Sequence, residues 1–365
     1  MIDNNINIKV VGGGRNYSID LLRIIAMIMV VILHFNLFGG FRTSEGSTLY
    51  TLLIKFTDHI SVVAVNVFII ISSWFLRDKA VNTYKLIDLL ITILFWTIVS
   101  SLLAYALGVS ISVKDIAIAV PVIGKFYEFL AGYIVLYLAA PFLNKMLDVI
   151  SDREHILITT GACLLFSVLV PIESSNYLYI HSGYHFVWFF CLYLMTSFVK
   201  KCKWEKFRYS YIVIFFLFSL GATISDLFNI PIIGDMSYNN IIVTVSSFSI
   251  FLFFANTRLE NGIEVKLISF FAPLSFAVFL IHANLLLERW YQTLNISEYV
   301  AGRWNMYLAL LFIIVIPVYL CCSILEYIRL KLFLFMKLDK LINRLSLVIE
   351  NYLDKYCIKI KNITK

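Results

Sequence analysis

Apolar runs long enough to cross a membrane recur along most of this chain. About 20 such residues cross the hydrocarbon core. Inside lipid every backbone polar group must find a partner within the protein, so only helices and closed barrels span it. A barrel would show short segments of alternating polarity, whereas these runs are apolar all round. The pattern predicts an all-α, polytopic transmembrane helix bundle. Composition agrees: of 365 residues, 61% are hydrophobic and 15% charged, against roughly 45–50% and about 25% in soluble domains. An ordinary cytosolic enzyme, a disordered or fibrous chain and a water-soluble nucleic-acid binder are excluded, the last despite a net charge of +7.

Ten spans are expected, at 18–40, 59–76, 86–108, 126–147, 155–171, 184–200, 209–228, 239–257, 266–288 and 305–330. Thr244, Ser246, Ser247 and Ser249 turn the eighth towards other helices. Lys and Arg accumulate in cytoplasmic connections. With the N-terminus inside, the inner connections before the tail hold fourteen basic residues and the outer ones six. Both termini are therefore expected in the cytoplasm. Residues 1–17 read as a flexible polar leader, residues 18–330 as the membrane domain, and 331–365 as a basic amphipathic tail on the inner membrane surface. No soluble domain is expected at either end. The glycines at 12–14 lack the strand and helix context of a nucleotide-binding loop. The six cysteines form no CxxC pair, and most read as buried, inert thiols.

Charges and imidazoles inside a span are costly and mark function by default. The first span, SIDLLRIIAMIMVVILHFNLFGG, carries Arg23 and His34 eleven residues apart. Eleven residues are close to three helical turns, so both side chains share one face, about 16 Å apart along the axis. Arg23 suits phosphate by its bidentate geometry; the competing reading is a salt bridge to Asp20, three residues earlier. His34 suits a base near neutral pH, or an interhelical hydrogen bond. In the ninth span, SFAVFLIHANLLLERW, His282 lies at a depth comparable to His34. Arg289 follows two turns on and nearly on the same face, either in the site or as an interfacial anchor. Glu128 and His185 sit at outer span ends, as vestibule or interfacial residues. Asn66 orients a partner or packs. His34 and His282 lack a third ligand, so no metal is expected.

The stretch from IDLLR to His34 resembles the opening motif of the acyltransferase-3 family of bacterial membrane acyltransferases. The resemblance continues through FIIISSWFL (68–76), YEFLAGYIVLYLAAPFLNK (127–145), YHFVWFFCLYL (184–194) and SFAVFLIHANLLLERW (275–290). It implies an enzyme that moves an acyl group, usually acetyl from cytosolic acetyl-CoA, to a hydroxyl of an extracytoplasmic or lipid-linked glycan. Arg23 and His34 match the family's two hallmark positions. Ser72 matches the serine of its second-helix Ser-Gly pair, with Ser73 where glycine is common. Acyl-CoA and membrane lipid are the implied partners besides the glycan, with polysaccharide-assembly proteins as further candidates and no nucleic acid.

On that reading Arg23 holds the donor, and His34 acts as general base or transient acyl carrier. His282 and Arg289 position the acceptor or stabilise the oxyanion. The competing class is a secondary transporter, which an intramembrane Arg and His also suit; inverted repeats and matching interrupted helices are not evident in the sequence.

Overall fold

A computed structural model of the chain describes residues 15–79, 81–112, 115, 128–169, 183, 185–202, 204, 208–230, 233–260 and 262–363. The expected leader, with its glycines, lies almost wholly outside the described residues. All regular structure among the described residues is helical. By length and composition seven segments can cross a membrane: Tyr17–Phe38, Thr48–Leu76, Thr83–Ala106, Phe129–Val149, Arg208–Leu227, Ile263–His282 and Trp304–Phe335. This is a multi-pass membrane protein. The ranges 155–171, 184–200 and 239–257 also fall on helices, Asp152–Cys163 with a π-helical turn to Leu169, Phe186–Lys201 and Ile241–Ala255. The first of these runs 18 helical residues with its π-helical turn, and the other two are shorter than the usual span of about 20; among the described residues, seven segments meet the length and composition of a crossing.

The first helix, α1 (Tyr17–Phe38), is the hub of the bundle. Asn16 starts it by accepting hydrogen bonds from the backbone N–H groups of Ser18 and Ile19, a standard N-cap. The chain leaves it through Gly40, whose φ of 77° is left-handed backbone that glycine tolerates. Around α1 pack α2 (Thr48–Ser61), α3 (Ala64–Leu76) and helices from the C-terminal half. In chain order the rest are α4 (Thr83–Ala106), α5 (Glu128–Val149), α6 (Asp152–Cys163), α7 (Phe186–Lys201), α8 (Arg208–Leu227) and α9 (Ile241–Ala255). They are followed by α10 (Ile263–Phe271), α11 (Ser275–His282), α12 (Leu285–Gln292), α13 (Ile296–Val300), α14 (Trp304–Phe335) and α15 (Leu338–Ile363).

Two crossings are interrupted. A turn at Val62 and Val63 divides α2 from α3. A 3-10 turn at Ala272–Leu274 divides α10 from α11. Pro273 in that turn lacks an N–H and cannot continue an α-helical ladder unbroken. Irregular backbone at membrane depth is tolerated where it is buried in protein or lines a cavity, and both interruptions do the latter.

As the sequence predicts, Thr244, Ser246, Ser247 and Ser249 of α9 are buried. The hydroxyls of Thr244 and Ser247 return to the carbonyls of Asn240 and Val243. The C-terminal helix α15 packs on α4 and α14. It buries Ile342 and Ser346 and leaves Leu341, Leu345, Val348 and Tyr352 exposed as one stripe.

Beneath α15, α4 and α14 meet over a buried ion pair. Arg329 donates to both carboxylate oxygens of Glu326 at 2.8 and 2.6 Å, and Trp96 Nε1 donates to the same carboxylate at 2.7 Å. Removing one partner of such a pair leaves an uncompensated buried charge. Glu326→Ala is therefore expected to destabilise the protein by about 3–5 kcal/mol, read as a lowered Tm in detergent; an unchanged Tm would contradict this account.

Candidate active site

A cavity of about 830 Å³ lies along α1 and is lined by Arg23, Met27, Val30 and His34 from that helix. These positions recur every three or four residues, the helical repeat that the Arg23 to His34 spacing predicts. From Arg23 to Phe38, another lining residue, the helix advances about 22 Å. One end carries Arg23, Lys85, Ser72 and Tyr133, and the other carries Arg42, Asp235, Ser237 and Glu288. Between them the walls are mainly apolar, with Leu33, Phe68, Leu86 and Leu89.

Arg23 does two things at once. Its Nη1 donates to Asp20 Oδ1 at 2.7 Å, the salt bridge foreseen as the competing reading. Asp20 is shared, because Arg15 Nε donates to Oδ2 at 2.6 Å. Two guanidinium groups on one carboxylate leave a net positive charge. The Arg23 side chain keeps 35% of its surface accessible and lies over the ring of Phe75 at 5.3 Å. Ser72 and Tyr133 line the same end.

At mid-cavity, His34 Nδ1 and His282 Nε2 are 2.9 Å apart. His282 Nδ1 lies 2.5 Å from the carbonyl oxygen of Val278, one helical turn back. That pair of contacts assigns the protons. A carbonyl only accepts, so His282 Nδ1 carries the hydrogen. In neutral His282 the other nitrogen, Nε2, is then an acceptor. His34 Nδ1 must donate to it, which leaves the lone pair on His34 Nε2. Phe38 stacks on the His34 ring with centroids 4.9 Å apart and restrains its tilt. His34 lines the cavity and His282 stands behind it.

The far end is anchored by a network that the sequence reading missed. Arg42 binds Asp58 in bidentate fashion, Nε to Oδ2 at 2.8 Å and Nη2 to Oδ1 at 3.1 Å. Asn36 donates to Asp58 and to Thr57, and accepts from Tyr307 at 2.9 Å. This network ties α1, α2 and α14 together two residues beyond His34. The one available signal was Asn36, a fully buried amide on the helix that carries the histidine.

Other expected site residues lie elsewhere. The helix carrying His282 stops at Ala283, and Asn284 caps a new one by accepting from Leu286 N. The face drawn through His282 and Arg289 is therefore not continuous. Arg289 is turned to Asp115 at 2.7 Å, and together with Ser112 it holds that carboxyl well below its ordinary range. Its neighbour Glu288 lines the cavity instead. His185 is the N-cap of α7, accepting from Val187 N, and does not line the cavity. The Glu128 side chain lies outside the described residues. Asn66 is committed to packing, donating to the Tyr238 carbonyl and accepting from Trp188 Nε1. His34 and His282 are paired with each other, and no group of three or more His, Cys, Asp or Glu able to hold a metal occurs among the described residues.

The family profile described as an acyltransferase domain, Acyl_transf_3, matches residues 16–327. The chain belongs to the acyltransferase-3 family. No curated protein and no solved structure is detectably similar to it. The matched stretch of this acyltransferase takes in every element that lines the cavity.

Proposed function

We propose that this membrane acyltransferase moves an acetyl or other acyl group from cytosolic acyl-CoA to a hydroxyl of a cell-surface or lipid-linked glycan. The observation that carries this reading is one cavity lined by both Arg23 and His34, whose Nε2 holds the free lone pair. The donor is polyanionic and suits the end where Arg15, Arg23 and Lys85 outweigh Asp20. Its thioester arm is narrow and largely apolar, like the stretch of wall between Arg23 and His34. The acceptor enters from the end with Arg42, Asp235 and Glu288. In the bacterial inner membrane the first end faces the cytoplasm and the second the outside.

His34 Nε2 takes the proton of the acceptor hydroxyl as that oxygen attacks the thioester carbonyl. The C–O bond forms and the C–S bond breaks. The proton then passes from His34 to the departing thiolate, which restores the neutral imidazole. His282 is a positioning residue: it fixes the tautomer and receives the Nδ1–H hydrogen bond, which strengthens as His34 gains charge.

Direct transfer is preferred to an acyl-histidine relay because donor and acceptor reach His34 from opposite ends of one cavity. Incubation with radiolabelled acetyl-CoA and no acceptor should leave the protein unlabelled; a labelled His34 peptide would establish the relay. Family membership also outweighs the transporter reading, although the interrupted helices suit one. Uptake by proteoliposomes without acyl-CoA would revive it.

The histidine pair supplies a further test. His282→Leu removes the acceptor for His34 Nδ1–H, and transfer should fall roughly 10²-fold or more, in line with other imidazoles that lose their orienting partner. His282→Gln keeps an acceptor oxygen near the same place and should recover part of that loss. Equal activity of the Leu and Gln variants would contradict the positioning role.

A further inference from the structure

The far end of the cavity carries a charge balance that the transfer chemistry does not require. Among the described residues, three charged side chains line it: Arg42, Asp235 and Glu288. Arg42 is already neutralised, because two of its nitrogens are held by the buried carboxylate of Asp58. Asp235 spends Oδ1 on the backbone N–H and the hydroxyl of Ser237, at 3.1 and 3.0 Å. Glu288 receives a neutral amide hydrogen bond from Gln292 at 3.1 Å. Neither carboxylate is in an ion pair among the described residues. Arg289, the next residue, eases the Glu288 charge without bonding to it and makes its ion pair with Asp115. Burial pushes the Glu288 carboxyl above its ordinary range, the signature of a carboxylate without sufficient compensation. An ammonium or a set of hydroxyl donors brought against it would relieve that penalty, and a second anion would add to it.

The opposite end has the reverse sign, since Arg15 and Arg23 share Asp20 and Lys85 also lines the cavity. Like charge placed against like charge is a strong means of rejecting a ligand. We infer that the acceptor is uncharged or cationic around the hydroxyl that receives the acyl group, and that Asp235 and Glu288 select it against acidic sugars and phosphate-bearing glycans. This inference rests on the acyl-transfer reading proposed above and adds the class of acceptor to it.

The experiment compares surface and lipid-linked glycans, by tandem mass spectrometry, from cells that lack the protein and cells that express it. The expected result is an acyl group lost from a neutral or amino sugar that bears neither carboxylate nor phosphate. An acyl group lost from a uronic acid, a sialic acid or a phosphorylated residue would overturn the charge rule and leave acyl transfer standing. Loss of no acyl mass would instead overturn the acyl-transfer reading on which the rule depends.

The same cells carrying Asp235→Asn with Glu288→Gln should incorporate roughly tenfold less acyl group at equal membrane abundance, the effect of losing charge-assisted hydrogen bonds to the acceptor. Incorporation within twofold of the unmodified protein would overturn the role of the two carboxylates. If the double variant fails to accumulate, Glu288→Gln alone is read on the same scale, and an undiminished level of acylation in it counts against the inference.

Discussion

Replacing His34 by alanine should reduce acyl transfer by roughly 10²- to 10⁴-fold, the usual contribution of a positioned general base, with the protein still inserted and folded. The imidazole borders an existing cavity, so truncation enlarges that space without exposing new surface to lipid. His282 cannot substitute, because it stands behind His34 and is tethered to the Val278 carbonyl. The measurement is incorporation of radiolabelled acetyl into glycan by membranes containing equal amounts of each protein. Normal acylation in well-expressed His34→Ala membranes would remove the mechanism.

The second large effect is expected at Arg23. If its guanidinium holds donor phosphate, Arg23→Ala forfeits a charge-assisted contact of about 1.5–3 kcal/mol. The apparent KM for acetyl-CoA should then rise roughly 10- to 100-fold, since each 1.4 kcal/mol is a factor of ten. The effect on kcat should be smaller. Asp20 keeps a partner in Arg15, so the variant does not strand a buried carboxylate. Unchanged affinity for acetyl-CoA would reduce Arg23 to the structural partner of Asp20.

Periodicity within one helix was legible and periodicity across a break was not. The alignment of Arg23 with His34 needs only an uninterrupted α1, and the run from Ser18 to Phe38 contains no proline or glycine. The alignment of His282 with Arg289 assumed the same of a segment holding Asn284. That side chain satisfies the first N–H groups of a new helix, and the change of axis delivers Glu288 to the cavity in place of Arg289. Arg42 and Asp58 escaped notice for another reason. They sit sixteen residues apart in different elements, and their pairing depends on how α1 and α2 fold back on one another. The tautomer of His34 is set by a carbonyl in a distant helix, which no local pattern encodes. Short helices such as α7 and α9 fill the bundle without the length that hydropathy counts as a crossing.

A space that touches both ends of a bundle is also an electrical hazard. The middle of this one is walled by Met27, Val30, Leu33 and Phe68, side chains that do not hold a water chain. Narrow hydrocarbon-lined stretches resist wetting and so block ions. On the acyl-transfer reading proposed above, those residues would serve as insulation against the membrane potential whenever no thioester arm fills the gap.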